Sequence, residues 1–468
     1  MNKTESINYF NKVAPERDKW KKKNKHYHQD TERLLNFLVP ENSSVLEIGC
    51  GTGDILSRLK SEKKKGIDIS PKMIAMAKKK YPKIDFAVGD AENLNLNEKY
   101  DYLILSGVVG SLLDIQKAFQ ELHKVSHSKS RIIITYYNYL WEPILKLAEK
   151  LHLKMPRPWQ NWVSPSDLEN FFYLSGFEVI KTGKRLLLPK YIPIISTIFN
   201  RYLAKLPIIQ ELCLVYYMVI RPRPGTSGSK PIVSIIVAAR NEAGNLEPLI
   251  QRTPSLGSHT EIIFVEGHSK DNTLEEAQRL KKKYSDKDIK VFVQDGAGKG
   301  DAVRKGFDAA KGDILMILDA DLSVFPEDMS KFYEALIEGR GELINGCRLV
   351  YPLEKESMRF LNLLGNKFFS IMYSWLLDQK VKDTLCGTKV LWKEDYQKIK
   401  EGRKFFGDFD PFGDFDLLFG AAKLNFKIID LPVRYQSRTY GSTNISRFRH
   451  GWLLLQMCFF AMKKIKFI

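Results

Sequence analysis

Val45-Leu46-Glu47-Ile48-Gly49-Cys50-Gly51-Thr52-Gly53 reads as a short apolar strand running into a turn with glycine at alternate positions. Glycine has no Cβ, so such a turn lets the backbone approach a ligand closely where the strand gives way to a helix. A glycine turn alone is a weak signal, and its surroundings decide its meaning. Downstream, strands are expected at Lys65 to Ile69, Ile84 to Val88, Asp101 to Ser106 and Arg131 to Tyr137, separated by helical stretches such as Pro71 to Lys80 and Asp114 to His123. Continuous apolar strands alternating with helices predict an α/β fold with a parallel sheet covered on both faces. Ser164-Pro165-Ser166-Asp167 has the form of a helix start, with a hydroxyl cap, proline at the first helical position and an acid in the first turn. Gly176 ends that helix, Phe177 to Thr182 follows as a strand, and Leu212 to Ile220 is the expected last strand of this half.

Two acids stand in register with the glycine turn. Asp68 ends the second strand, where a carboxylate can bind ribose hydroxyls, and Asp90-Ala91 ends the third, beside the expected adenine. The glycines run GxGxG, not the GxGxxG of dinucleotide-binding domains. From about Arg33 to Pro224 the chain resembles a class I S-adenosylmethionine-dependent methyltransferase. The resemblance implies a seven-stranded sheet whose last strand is antiparallel. It also implies a cofactor site made of Glu47, Gly49, Gly51, Gly53, Asp68, Asp90, Ala91 and Ser106. Methyl transfer from a sulfonium mainly needs an aligned acceptor, so no universal catalytic residue marks it. Ser106-Gly107-Val108-Val109 and Tyr136-Tyr137-Asn138-Tyr139 are candidates to face the methyl group, and the acceptor itself is not readable.

The stretch Arg221 to Pro231, rich in proline, glycine and serine, separates this half from a second one. There, strands are expected at Val233 to Ala238, Glu261 to Val265, Ile289 to Gln294 and Ile314 to Leu318, with helices at Asp271 to Tyr284 and Asp301 to Ala310. The last strand delivers Asp319-Ala320-Asp321. Two carboxylates one residue apart at a strand end can hold a hard divalent cation, Mg2+ or Mn2+, that neutralises a diphosphate. Ala239-Arg240-Asn241-Glu242 follows the first strand, Glu266 the second, and Ser269 to Thr273 and Gly298-Lys299-Gly300 each lead into a helix. This ordered set resembles the family-two glycosyltransferases, with the GT-A nucleotide-sugar-binding fold, over about Pro231 to Pro432. The resemblance implies that Ala239, Asn241, Glu242, Glu266, Asp271, Lys299, Arg304 and Asp319 bind the nucleotide sugar, and that Asp319 and Asp321 bind the metal. It also implies that transfer inverts the anomeric centre, that Asp414 and Asp416 supply the acceptor-side base, and that Asp383 to Gly387 matches the acceptor-side motif of polyprenyl-phosphate sugar transferases. One departure is that Glu266 is followed by Gly267-His268 where family members often have a second acid.

The expected organisation is therefore two Rossmann-like αβα sandwiches. A basic helical segment at 1–32 precedes a methyltransferase domain at 33–224; a linker at 225–231 leads to a glycosyltransferase domain at 232–433 and a basic amphipathic segment at 434–468. The chain has 468 residues, enough for two to three cores, and a formal net charge of +18 that calls for an anionic partner. Five cysteines without a CxxC pair indicate neither a disulfide framework nor a zinc site. A polar N-terminus and the lack of a long apolar run fit a cytoplasmic protein. Lys19, Lys21, Lys22, Lys23 and Lys25 form one basic cluster. The tail from Arg434, where lysines stand beside Trp452 and Phe459-Phe460, suits the inner face of an anionic membrane, or else packs on its own domain. The expected activity joins methyl transfer to sugar transfer from a nucleoside-diphosphate sugar onto a polyprenyl-phosphate or glycan acceptor. The alternative is an RNA-directed methyltransferase with a non-catalytic second domain; nucleic acid is disfavoured because no stacking-aromatic RNA motif is present.

Overall fold

In the computed structural model, residues 2–225, 228, 230–351, 360–405, 415–436, 440 and 447–467 are described, the side chains of 360–363, 415 and 447–450 excepted. Met1–Arg223 and Pro224–Lys466 each form a compact unit. The first holds seven strands: β1 (Val45–Ile48), β2 (Lys64–Asp68), β3 (Asp85–Val88), β4 (Tyr100–Ser106), β5 (Ser126–Tyr137), β6 (Phe177–Arg185) and β7 (Val215–Pro222). Their order is β3-β2-β1-β4-β5-β7-β6. The first five run parallel, and β7 is antiparallel to both β5 and β6, as the methyltransferase resemblance implies. Leu46, Ile48, Leu103, Leu105, Ile132 and Ile134 point into the core on one face, while Val45, Ile104 and Ile133 point into the other. That two-sided burial is why these strands read as unbroken apolar runs.

Helices cover both faces. Ile115–Val125 starts on an Asp114 cap and buries Ile115, Ala118, Phe119, Leu122 and Val125, a helical stripe. Ser164 and Asp167 form the expected capping box of the helix Pro165–Leu174. Three helices at the N-terminus, Lys3–Val13, Arg17–Lys23 and Lys25–Leu38, belong to this unit, the last continuing through position 32. Arg185 on β6 donates two hydrogen bonds, 2.9 and 2.8 Å, to the buried Asp30 of the third helix. Removing either partner alone would leave an uncompensated buried charge.

The second unit has β8 (Ile232–Ala239), β9 (His259–Glu266), β10 (Asp288–Val293), β11 (Ile314–Ile317), β12 (Leu343–Cys347), β13 (Lys389–Trp392) and β14 (Ile428–Pro432), in the order β10-β9-β8-β11-β13-β12-β14. The sheet is mixed, since β13 runs antiparallel to β11 and β12. Asp313, in the turn before β11, accepts a hydrogen bond from Ile232 N at 2.9 Å, which aligns the start of β11 with β8. The C-terminal helix Arg447–Ala461 buries Leu454, Met457, Cys458 and Ala461 at helical spacing and leaves Trp452 and Phe459 exposed. The tail thus packs through one apolar face, the second of its two expected placements. No helix among the described residues is long and apolar enough to cross a membrane.

Candidate active sites

At the ends of β1 to β4 a cavity opens. Gly49, Gly51, Asp68, Asp90, Ala91 and Ser106 line it, so six of the eight expected cofactor residues converge. The three glycines of the turn divide the work. A Cβ on Gly49 would meet Val108 Cγ2 at 2.4 Å and one on Gly53 would meet Phe86 Cζ at 2.6 Å, whereas one on Gly51 or Gly107 would meet nothing within 4 Å. Gly49 and Gly53 therefore allow close packing, and Gly51 and Gly107 leave open the cavity space that a side chain would fill. Asp68 ties the floor together: its carboxylate accepts from Gly51 N and Ser70 N, each at 2.9 Å. Burial pushes the Asp68 carboxyl up, and those two amides and Arg17 act against it.

Glu47 and Gly53 do not line the cavity. Gly53 instead starts the short helix Asp54–Arg58. Glu47 lies within β1, 2 % exposed, and its Oε2 has no hydrogen-bond partner among the described residues. Burial pushes its carboxyl from 4.5 up to about 8. Between those values the folded chain keeps a proton that the unfolded chain has lost, so this group's contribution to stability falls as pH rises through that window. Glu47→Gln, neutral throughout, is expected to remove that slope. The check is denaturant unfolding at a series of pH values, where wild type should lose up to about 1.4 kcal/mol per pH unit relative to the variant.

The N-terminal helices supply what sequence reading left out of this site. Lys3, Ser6 and Phe10, one helical face by their spacing, line the cavity together with Arg17. Lys3 Nζ donates to Asp90 Oδ1 at 2.9 Å and Glu92 Oε2 at 2.7 Å. Lys21, one of the lysines of the basic cluster, is turned inward and bonds Thr52 Oγ1 at 2.9 Å as well as Asp54. The Asn2-x-x-Glu5 capping box was the available signal for this helix. From the segment after β5, Met155 and Arg157 also reach the cavity.

In the second unit Asp319 lies just beyond β11, and Lys299, opening the helix Lys299–Ala309, donates to its Oδ1 at 2.6 Å. Burial pushes the Asp319 carboxyl up, but Lys299, then Arg348 and Lys389, outweigh it and the net direction is down. Gly387 packs against this pair: a Cβ there would sit 2.2 Å from Lys299 Nζ and 2.4 Å from both Asp319 oxygens. Asp321, 7 % exposed, accepts from Ser323 N at 3.0 Å and Ser323 Oγ at 2.6 Å. The described residues hold no group of three or more His, Cys, Asp or Glu arranged for a metal. Two carboxylates alone suit a cation that completes its shell with water and substrate phosphate.

The other residues expected to bind the nucleotide sugar knit two neighbouring loops. Ala239 and Glu266 are paired across β8 and β9. Asn241, with φ of 58°, accepts from Lys270 N at 2.7 Å, and Glu266 accepts from Ser269 N. Asn tolerates that left-handed conformation better than most residues. Glu242 N donates to Thr273 Oγ1 at 2.9 Å, and Asp271 accepts from Thr273 N at 3.1 Å. Arg304 is half-buried on the helix that begins with Lys299.

Asp383, in the expected acceptor-side motif, is bonded within the chain. It is fully buried and accepts from Arg348 Nε at 2.7 Å, Arg348 Nη2 at 2.8 Å, Arg348 N at 3.0 Å and Leu385 N at 3.1 Å. Its carboxylate thus fixes the loop that carries Gly387. Asp416 is held by Arg403 Nη2 at 2.9 Å. Asp414, Arg438 and the Arg447 side chain lie outside the described residues. Arg348, Lys389 and Gly387 were not singled out for charge or space, because their meeting with Asp319 depends on strands far apart in sequence.

Comparison with known proteins matches the two units to two families. The model described as "Methyltransferase domain" covers residues 40–173, and that of "Glycosyl transferase family 2" covers residues 234–399. A dolichol-phosphate mannosyltransferase of Pyrococcus furiosus is 30% identical over 236 residues, covering 48% of this chain and 64% of that protein. The ubiquinone/menaquinone biosynthesis C-methyltransferase UbiE of Campylobacter jejuni is 31% identical over 157 residues, covering 29% of this chain and 64% of that protein. The chain thus spans just under two thirds of the length of either relative. Among solved structures, magnesium protoporphyrin IX methyltransferase of Synechocystis aligns at 18% identity with a TM-score of 0.36, over 47% of this chain and 100% of that one. This chain therefore joins an S-adenosylmethionine-dependent methyltransferase domain to a family 2 glycosyltransferase domain.

Proposed function

We propose that the chain is a bifunctional enzyme in which the second unit transfers a sugar from a nucleoside-diphosphate sugar to a polyprenyl phosphate or related glycan acceptor, and the first methylates an acceptor with S-adenosylmethionine. The observation that carries the sugar-transfer reading is the Asp319–Lys299 pair at the end of β11, with Asp321 two residues on and Gly387 packed against it. Asp319 and Asp321 would hold a divalent cation, which when bound supplies positive charge to the departing diphosphate. Lys299, released from Asp319, is positioned to bind a phosphate oxygen, and Arg348 and Lys389 add positive potential around the same carboxylate. Asn241, Glu242, Glu266 and Asp271 hold the loops after β8 and β9 in the shape that receives the nucleoside.

Asp416 is paired with Arg403. A lipid-phosphate acceptor is already ionised and needs no proton acceptor. The name of the Pyrococcus relative, dolichol-phosphate mannosyltransferase, points to such an acceptor. In the first unit, Gly51 and Gly107 leave room for the cofactor backbone, Asp68 would take the ribose and Asp90 the adenine side. The cofactor supplies an electrophilic methyl group; the chain's part is to align the acceptor and keep water out.

The test is a panel of nucleotide sugars incubated with the full chain and a polyprenyl phosphate, with and without Mn2+, and products read by mass spectrometry. Formation of one lipid-linked sugar, abolished by chelation, is the expected result. No turnover of any donor, together with tight and salt-sensitive RNA binding, would overturn it.

A further inference from the structure

Two insertions of the first unit leave an unusual amount of apolar side chain in water. One lies between β5 and the helix Pro165–Leu174, the other between β6 and β7. In the first, the helix Glu142–Lys150 buries Leu145 but turns Ile144, Leu147 and the following Leu151 outward, each more than half exposed. Their spacing of three and four places them on one stripe. In the second, Ile194, Ile198 and Ile208 are exposed, Ile194 by 75% and Ile208 by 86%. The insertions are bound side by side. Trp141 Nε1 donates to Leu212 O at 2.9 Å, and Asn138 Nδ2 donates to Glu211 O and Cys213 O, each at 2.9 Å.

A helix stripe and a neighbouring segment of this kind exceed the scattered apolar residues of an ordinary surface. Charge indicates what covers them. Of the seven Lys/Arg in residues 139–163 and 186–212, Lys146, Lys150, Lys190 and Arg201 are exposed, while Lys205 is buried and Arg157 lines the cavity. Lys150, Lys190 and Arg201 stand exposed among the isoleucines and leucines. Tyr139, Tyr191 and Tyr202 are exposed there as well, and tyrosine favours the headgroup level of a bilayer. Apolar side chains flanked by cations and tyrosines match a surface that lies in the headgroup boundary of an anionic membrane.

We propose that this face seats the first unit on an anionic membrane surface, without spanning it. The insertion that carries Ile144 and Leu147 also sends Met155 and Arg157 into the cavity at the strand ends, so one segment links the lipid-facing stripe to that cavity. A lipid-borne methyl acceptor follows if that cavity binds S-adenosylmethionine; this last step rests on the methyl-transfer reading, and the docking does not. The C-terminal helix, by contrast, exposes only Trp452 and Phe459 as large apolar side chains among its described residues.

Flotation of the full chain with phosphatidylcholine vesicles, with and without phosphatidylglycerol, tests the docking. Wild type is expected to float with the anionic vesicles and to be released in part by high salt. Ile144→Ser/Leu147→Ser and Ile194→Ser/Ile198→Ser should each weaken partitioning by about tenfold or more, from the apolar area removed. Both variants should keep wild-type melting temperature and S-adenosylmethionine affinity, because the exchanged side chains face solvent. Trp452→Ser/Phe459→Ser should float as wild type does. Failure of wild type to float, equal flotation of the serine variants, or loss confined to the Trp452/Phe459 variant would each overturn the proposal. So would a concentration-dependent dimer that the serine variants abolish without any vesicle binding. A protein that floats but does not bind S-adenosylmethionine would keep the docking and remove only the lipid-borne methyl acceptor.

Discussion

Asp319→Asn is expected to lower sugar transfer by about 100- to 1,000-fold while leaving S-adenosylmethionine binding by the other unit unchanged. The carboxylate stands at the end of β11, held below its ordinary range against burial by Lys299, Arg348 and Lys389. Asparagine nearly keeps the volume, so the space shared with Gly387 is undisturbed and the fold should survive. What is lost is the negative charge that a divalent cation needs and that orients Lys299. Donor binding with Mn2+, followed by calorimetry, should weaken along with turnover. Lys299→Met provides the contrast: the acid pair stays, one phosphate contact goes, and a loss of about tenfold is expected, within the range for a single charge-assisted hydrogen bond. Turnover of Asp319→Asn within threefold of wild type would mean that the Lys299 pair is only structural.

What could be read in the sequence was whatever depends on neighbours along the chain. Gly49 to Gly53, Asp68 and Asp90 sit at or just past the ends of β1, β2 and β3, and a parallel sheet brings all such strand ends to one edge. All seven strands of the first unit and four of the second were legible, most of them as apolar runs. β12, β13 and β14 were not. Asn345 and Gly346 break the first, and the second carries Lys389, whose fully buried ammonium donates to Cys386 O at 2.7 Å. Binary patterning cannot anticipate a buried lysine whose partner is a carbonyl in an adjoining loop.

Roles were harder to read than positions. Asp383 was noticed as part of a motif, yet its carboxylate is occupied by Arg348, 35 residues away in sequence. Lys21 belonged to the basic cluster near the N-terminus, and it bonds Thr52 and Asp54 beside the glycine turn. Lys3, Ser6 and Phe10 escaped notice because a polar segment offers no apolar stripe to mark its buried face. In each case the missing information was a contact between distant segments, which spacing within one element does not carry.

Asp68→Ala is expected to weaken S-adenosylmethionine binding by about 100-fold or more, read by calorimetry on the full chain. The carboxylate accepts from Gly51 N and Ser70 N, both at 2.9 Å, while facing the cavity. Hydrogen bonds to a charged group contribute about 1.5–3 kcal/mol each, so alanine removes support for the turn as well as the expected ribose ligand. Asp68→Asn separates these two effects. Its single amide oxygen can serve one of the two backbone amides but not both, and its NH2 would face the other donor. The turn should therefore loosen in Asn as well, giving a loss of about tenfold or more, smaller than that of alanine. If only the ribose contact mattered, the two variants would shift cofactor affinity while Gly51 amide exchange stayed slow. If the turn depends on Asp68, as the two short hydrogen bonds argue, hydrogen exchange at Gly51 and Ser70 should accelerate in both variants even without cofactor. Unchanged affinity in Asp68→Ala would contradict the ribose assignment outright, because no other acid ends β2.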